Sequence, residues 1–206
     1  MSGRPPFPDA GQNAGPDGTQ NVIFERGDPR DPRATALLNA SHALMQALFP
    51  PEDNFFLSID ALCVPGIHFF IARQGDDYLG CAALAERRDS VADRRAGNGA
   101  DRAGAPEAES AAVDASDSAP DLAAPYGELK SMYVAETARG LGVAAGLLQA
   151  LETTARSLNL KSLKLETGDS LTAAQRLYAR HGFEICGLFG EYDDIPTSVF
   201  MSKQLA

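Results

Sequence analysis

Arg139-Gly140-Leu141-Gly142-Val143-Ala144 is the stretch of this 206-residue chain whose residue types point most directly to chemistry. Glycines let a backbone come close to a ligand, and N–H groups left free at a helix start, helped by the helix dipole, favour anions. An arginine directly before the glycines adds a charged fork suited to phosphate. The expected ligand therefore carries phosphate. Gly140 to Gly146 also reads as GxGxxxG, with Glu166 near the ~20-residue offset at which a dinucleotide site places an acidic residue. Two features weigh against a nicotinamide site. Ala135 to Arg139 separate the glycines from the strand before them, and the residues left after the loop are too few for the remaining strands of that fold.

Other reactive side chains are less suggestive. Cys63, Cys81 and Cys186 are an odd, widely spaced set, so buried thiols are expected in place of a disulfide framework. Nothing beside Cys81 or Cys186 marks an activated thiolate, and both are assigned to the core. His42, His68 and His181 lack metal-ligand spacing, and no metal is expected.

The loop needs elements to hold it. Glu128 to Val134 reads as a strand ahead of it, Val143 to Leu158 as an amphipathic helix behind it, and Leu160 to Thr167 as the next strand. Strand, helix and strand in that order form a crossover, which places the two strands parallel. A short helix then runs to His181-Gly182-Phe183. Upstream, Asn21 to Glu25 is a first strand, and Asp31-Pro32 caps a helix with Leu37, Leu38, Leu44, Met45 and Leu48 on one face, stopped by Pro50-Pro51. Leu57 to Leu62 suggests a further short helix. His68 to Ala72 and Tyr78 to Leu84 form a hairpin across Gln74 to Asp77. Phe183 to Phe189 and Ser198 to Met201 supply two last strands. The fold class is thus α/β (α+β), a mixed sheet with helices on its faces.

Composition bounds the rest. With 44% hydrophobic residues and a mean hydropathy of -0.19, the chain can bury one good core, and residues 21–206 are expected to form a single domain. Residues 1–20 read as a disordered tail. The alanine-rich stretch 87–124, with no aromatic residue, reads as a disordered insertion because it offers too little apolar area to offset its ordering entropy. A net charge of -10 argues against nucleic acid and anionic membrane surfaces as partners and favours a cationic amine. With no apolar run of membrane-span length and no signal-peptide pattern, a cytoplasmic protein is expected, monomeric or homodimeric.

At these residues the chain resembles the GNAT superfamily of acyl-CoA-dependent N-acetyltransferases, whose signature is Arg/Gln-x-x-Gly-x-Gly/Ala. Arg139, Gly142 and Ala144 meet it, Met132-Tyr133-Val134 precede it, and Leu177-Tyr178 and Gly182-Phe183 follow. The resemblance implies a mostly antiparallel sheet splayed between its fourth and fifth strands, with acetyl-CoA in the V as co-substrate. Its pantetheine arm would pair with the backbone of Met132, Tyr133 and Val134, and its pyrophosphate would sit on the amides of Arg139, Gly140, Leu141, Gly142, Val143 and Ala144. The resemblance also implies acetyl transfer to a primary amine by direct attack in a ternary complex. Glu128 matches the position of a glutamate base in histone-type members, though it also reads as a strand residue pairing with Lys130. Tyr178 matches the tyrosine that protonates or hydrogen-bonds the coenzyme sulfur, though packing against the sheet is an alternative role. Glu166 is the second choice for the base. Seven residues before Tyr178, where many members carry asparagine, stands Leu171. The acceptor is expected to be a small cationic amine or a peptide or protein amine. The competing function is a non-catalytic acyl-CoA-binding regulatory module.

Overall fold

The computed structural model describes residues 21–88 and 124–205. The tail over 1–20 and nearly all of the expected insertion lie outside the described residues. The first strand, β1 (Ile23–Arg26), leads into α1 (Pro32–Leu48). Asp31 caps α1 as its residue type suggests, accepting a hydrogen bond from the Arg33 N–H at 2.8 Å, and Pro32 occupies the first turn. A 3-10 turn, Pro51–Asp53, follows α1, and in place of the short helix expected over Leu57 to Leu62 there is a single 3-10 turn at Ala61–Cys63. The hairpin consists of β2 (Ile67–Gln74) and β3 (Asp77–Arg88), and Arg87 and Arg88 belong to β3. Then follow β4 (Pro125–Val134), α2 (Val143–Ser157), β5 (Ser162–Gly168), α3 (Thr172–Arg180), β6 (Glu184–Ile185) and β7 (Ser198–Gln204).

The strands form one seven-stranded sheet in the order β1-β2-β3-β4-β5-β7-β6. Its pairings are antiparallel except β4 with β5, which run parallel as the crossover requires. Strand alternation divides the apolar residues between two cores. Phe70, Ala72, Ala82 and Leu84 face α2 and α3, while Phe69, Ile71, Cys81 and Ala83 face α1. On α2, Val143, Leu147, Leu148, Leu151 and Ala155 form a fully buried stripe with helical spacing. On α1 the stripe behaves differently. Its first half, Ala34 to Leu38, is buried, but Leu44 and Leu48 are 36% and 46% exposed.

The parallel pairing of β4 with β5 is short. It joins Tyr126, Gly127 and Glu128 to Ser162, Leu163 and Lys164 and then ends. Beyond it β4 stays paired with β3 as far as Val134, and Leu165 to Gly168 of β5 pair with β7 alone. The parting coincides with a bulge, because between Cys81 and Ala83 of β3 the register slips by one extra residue on β4. There Ser131 adopts φ +52°, a left-handed conformation that bends the strand.

One glycine sets how closely the strands approach at this point. A Cβ on Gly80 would lie 2.7 Å from the Tyr133 carbonyl oxygen, with Val143 and Leu147 of α2 behind it. A backbone atom cannot swing aside as a side chain can. Gly80→Ala is therefore expected to lower the unfolding free energy by about 1–3 kcal/mol, read as a reduced urea midpoint at unchanged slope. An unaltered midpoint would show that β4 has room to retreat.

Candidate active site

Where β4 and β5 part, a cleft of about 820 Å³ opens. Its walls come from the C-terminal half of α1, residues 53–56, the second half of β4, the loop before α2, the end of β5, α3, and Tyr192 and Thr197. Met132, Tyr133, Val134, Arg139, Gly140, Gly142, Val143, Ala144, Glu166 and Tyr178 all line it, so ten of the residues singled out from sequence meet in one place. Leu141 sits in the same loop with its side chain 59% exposed, outside the lining. Glu128 lies beneath the floor, 4% exposed, and also outside the lining.

One end of the cleft suits a diphosphate. Gly142 is the N-cap of α2 and offers no side chain to its first amides, which stay available to an anion. Gly140 and Gly142 hold φ near +80°, and a Cβ on either would meet nothing within 4 Å. The glycines are thus required by backbone conformation, and they leave the approach open. Arg139 is 55% exposed and reaches Glu136 at 3.5 Å, a surface pairing weak enough to exchange for phosphate. Along β4, residues past Glu128 have no ladder partner on the β5 side. In the same wall the Ser131 hydroxyl is buried with no hydrogen-bond partner. An unpaired strand edge and an orphaned hydroxyl are what an amide-bearing arm running along β4 would satisfy.

The other end is built around charge. The Glu128 carboxylate accepts hydrogen bonds from Tyr192 Oη at 2.6 Å and Arg87 Nε at 2.8 Å, and Lys130 Nζ lies 3.0 Å away. Lys130 also contacts the Tyr192 hydroxyl and reaches the Phe55 carbonyl at 3.5 Å. Burial alone would raise the Glu128 pKa, but the Lys130 charge and the hydrogen bonds from Tyr192, Arg87 and Lys130 bring it below the usual glutamate value. Glu166 is shifted the other way. It accepts a hydrogen bond from Ser198 Oγ at 2.8 Å, yet burial, reinforced by the nearby negative charge of Glu128, outweighs that bond and Lys130 and raises its pKa. Tyr178 is 6% exposed, and burial, with Glu166 adding to it, raises its phenol pKa well above normal. Tyr178 also packs beside Phe183 at 5.7 Å, so its packing role is real as well.

Several members of the site carry no sequence signal. Tyr192 lies in the irregular segment between β6 and β7, and Ser198 is an ordinary strand residue until its pairing with β5 brings it opposite Gly168. Arg87 was assigned to the insertion, whereas β3 extends far enough to set it beside Glu128. Cys81 is fully buried and its thiol is pushed up to about 12 by burial, an inert core residue as expected. Among the described residues, no group of three or more His, Cys, Asp or Glu is arranged to hold a metal, and no helix is long and apolar enough to cross a membrane.

Comparison with known proteins agrees with this geometry. Residues 35–183 match the model of the acetyltransferase (GNAT) family. The chain is 31% identical over 185 residues to an IAA acetyltransferase of Azospirillum brasilense, covering 90% of this chain and 99% of that protein. It is 30% identical to the N-acetyltransferase YsnE of Bacillus subtilis, itself uncharacterised, over 84% of this chain and 93% of the relative. Among solved structures, a Klebsiella pneumoniae protein described as an acyl-CoA N-acyltransferase superposes with a TM-score of 0.62 at 25% identity, covering 91% of this chain and all of that one. A GNAT family acetyltransferase from Elizabethkingia anophelis, solved with acetyl-CoA bound, shares the fold with a TM-score of 0.54 at 15% identity, over 91% and 100% of the two chains. The chain belongs to the acetyltransferase (GNAT) family.

Proposed function

We propose that this acetyltransferase moves an acetyl group from acetyl-CoA to a primary amine by direct attack within a ternary complex, with Glu166 as general base and Tyr178 as proton donor. The observation that carries this reading is the meeting of Glu166 and Tyr178 on one cleft at the splay, each with its pKa raised. Acetyl-CoA supplies a thioester acyl group and a good leaving thiolate. The chain supplies the rest. The amides of Val143 and Ala144 and the Arg139 guanidinium hold the diphosphate, and the open edge of β4 at Met132 to Val134 orients the arm.

A base for an ammonium substrate needs a pKa raised toward working pH. Glu166 meets that condition and lines the cleft. Glu128 meets neither, because its carboxylate is occupied by Arg87, Lys130 and Tyr192. We assign Glu128 to positioning: it holds Tyr192 and, through Lys130, Phe55. Tyr178 is protonated at neutral pH, as a tyrosine ordinarily is, and the upward shift of its pKa keeps it so across the working range, with its proton available to the sulfur as charge develops there. The two groups thus divide base and acid work between them.

Acetyl-CoA is expected to raise the melting temperature, and Arg139→Glu to shrink that shift without lowering the melting temperature of the free protein. An equal shift in both proteins would remove Arg139 from the diphosphate site. Glu166→Gln should lower kcat by about 10²–10⁴-fold. In the wild type, kcat/KM should fall as pH drops through a value above that of an ordinary glutamate, since the base must be ionised, and this acid limb should vanish in Glu166→Gln. A limb that survives the substitution would move the base elsewhere. Glu128→Gln leaves Lys130 and Arg87 without their anion, and the expected loss lies toward the lower end of about 3–5 kcal/mol, because Arg87 is partly exposed. The sign with pH follows from the depressed pKa of Glu128. Its contribution is present above the unfolded value and lost as pH falls through the folded one, so the variant should show a shallower acid dependence of stability.

A further inference from the structure

We propose that the acceptor is an amine carried on a small aromatic or branched apolar body with no second positive charge, the body seated against Leu44, Leu48, Phe55, Phe56 and Tyr192. The inference rests on the reading of Glu166 as the base, since the amine nitrogen must reach that carboxylate. It starts from α1. The apolar stripe of this helix continues past the core, and Leu44 and Leu48, with Met45 between them, line the cleft with no sheet to cover the exposed part of their surface. Exposed apolar side chains gathered in a concave wall mark a binding surface.

The wall is held in place before any ligand arrives. Phe49, which ends α1, lies against Gly168 so closely that a Cβ there would come within 2.1 Å of the ring. Phe55 and Tyr192 meet edge to face at 5.1 Å, and Phe56 stacks on His42 at 4.0 Å with the rings 15° apart. Thr197 Oγ1 donates to Asp53 Oδ2 at 2.7 Å, tying residues 53–56 to the segment before β7. Rings fixed in this way bind an apolar body without further ordering cost.

Charge beside the base disfavours a second ammonium there. Glu128 is matched by two cations, Arg87 and Lys130, while Asp53 and Glu166 each accept a single hydroxyl, from Thr197 and Ser198. Glu166 is the carboxylate assigned to the reacting amine, and Lys130 lies close enough to Glu166 to perturb its titration. A second ammonium on the substrate would face Lys130. The overall charge of -10 draws amines toward the protein but does not choose among them.

The test compares 2-phenylethylamine, spermidine and kanamycin by thiol release at saturating acetyl-CoA, with an acetyl-CoA thermal shift recorded on every protein. The expected result is a kcat/KM for 2-phenylethylamine at least about tenfold above that for spermidine. Phe55→Ala should raise the 2-phenylethylamine KM by about tenfold while acetyl-CoA still shifts the melting temperature. Phe55→Glu should move the preference toward spermidine. A wild type that prefers spermidine or kanamycin overturns the acceptor class and leaves the acetyl-transfer reading standing. An intact thermal shift with no turnover of any of the three amines overturns the class as well, whereas absence of any acetyl-CoA shift overturns the reading on which it rests.

Discussion

Backbone groups of a strand must find partners, and β4 finds them on both sides only as far as Glu128. From there the bulge at Ser131 bends it away from β5, and the two strands keep their outer neighbours while losing each other. A sheet tolerates such a gap only when something satisfies the open edge, and a ligand with amides of its own can do so. The cleft, the position of Glu166 at its wall and the aim of the loop before α2 all follow from where that pairing ends.

A charge cluster sits where the strands separate. Glu128, Arg87, Lys130 and Tyr192 are more expensive to bury than apolar residues of the same volume would be. Their arrangement ties β3, β4, residue 55 and the segment before β7 into one unit. A buried carboxylate with three partners is poorly suited to taking up a proton, and Glu166, with one hydroxyl partner and a like charge nearby, is better suited. Two glutamates on neighbouring strands thereby come to opposite pKa shifts from the same surroundings.

Much of this was legible in the residues. Helical spacing located α2 and its buried face, Asp31-Pro32 located the start of α1, and strand, helix and strand implied the parallel pair, because each signal is local and the chain obeys it locally. The glycine loop was legible for the same reason: positive φ at Gly140 and Gly142 is a demand on residue type. The α1 stripe misled in one respect. Its spacing predicts burial along the whole helix, but the sheet beneath it ends at the splay, and Leu44 and Leu48 emerge into the cleft. Arg87 was likewise hidden, because the composition that suggests an insertion does not mark where β3 stops.

The amino-acid sequence by itself determined most elements, their order and the glycine loop before α2, since each depends on neighbours a few positions apart. Only the tertiary structure decided which glutamate has its pKa raised and which has it lowered. Glu128 and Glu166 are alike as residues, and they differ by what reaches them from far along the chain: Arg87, Lys130 and Tyr192 for one, Ser198 for the other. The pKa of a buried carboxylate depends on desolvation and on charges within a few ångströms, and those distances exist only once the sheet is paired.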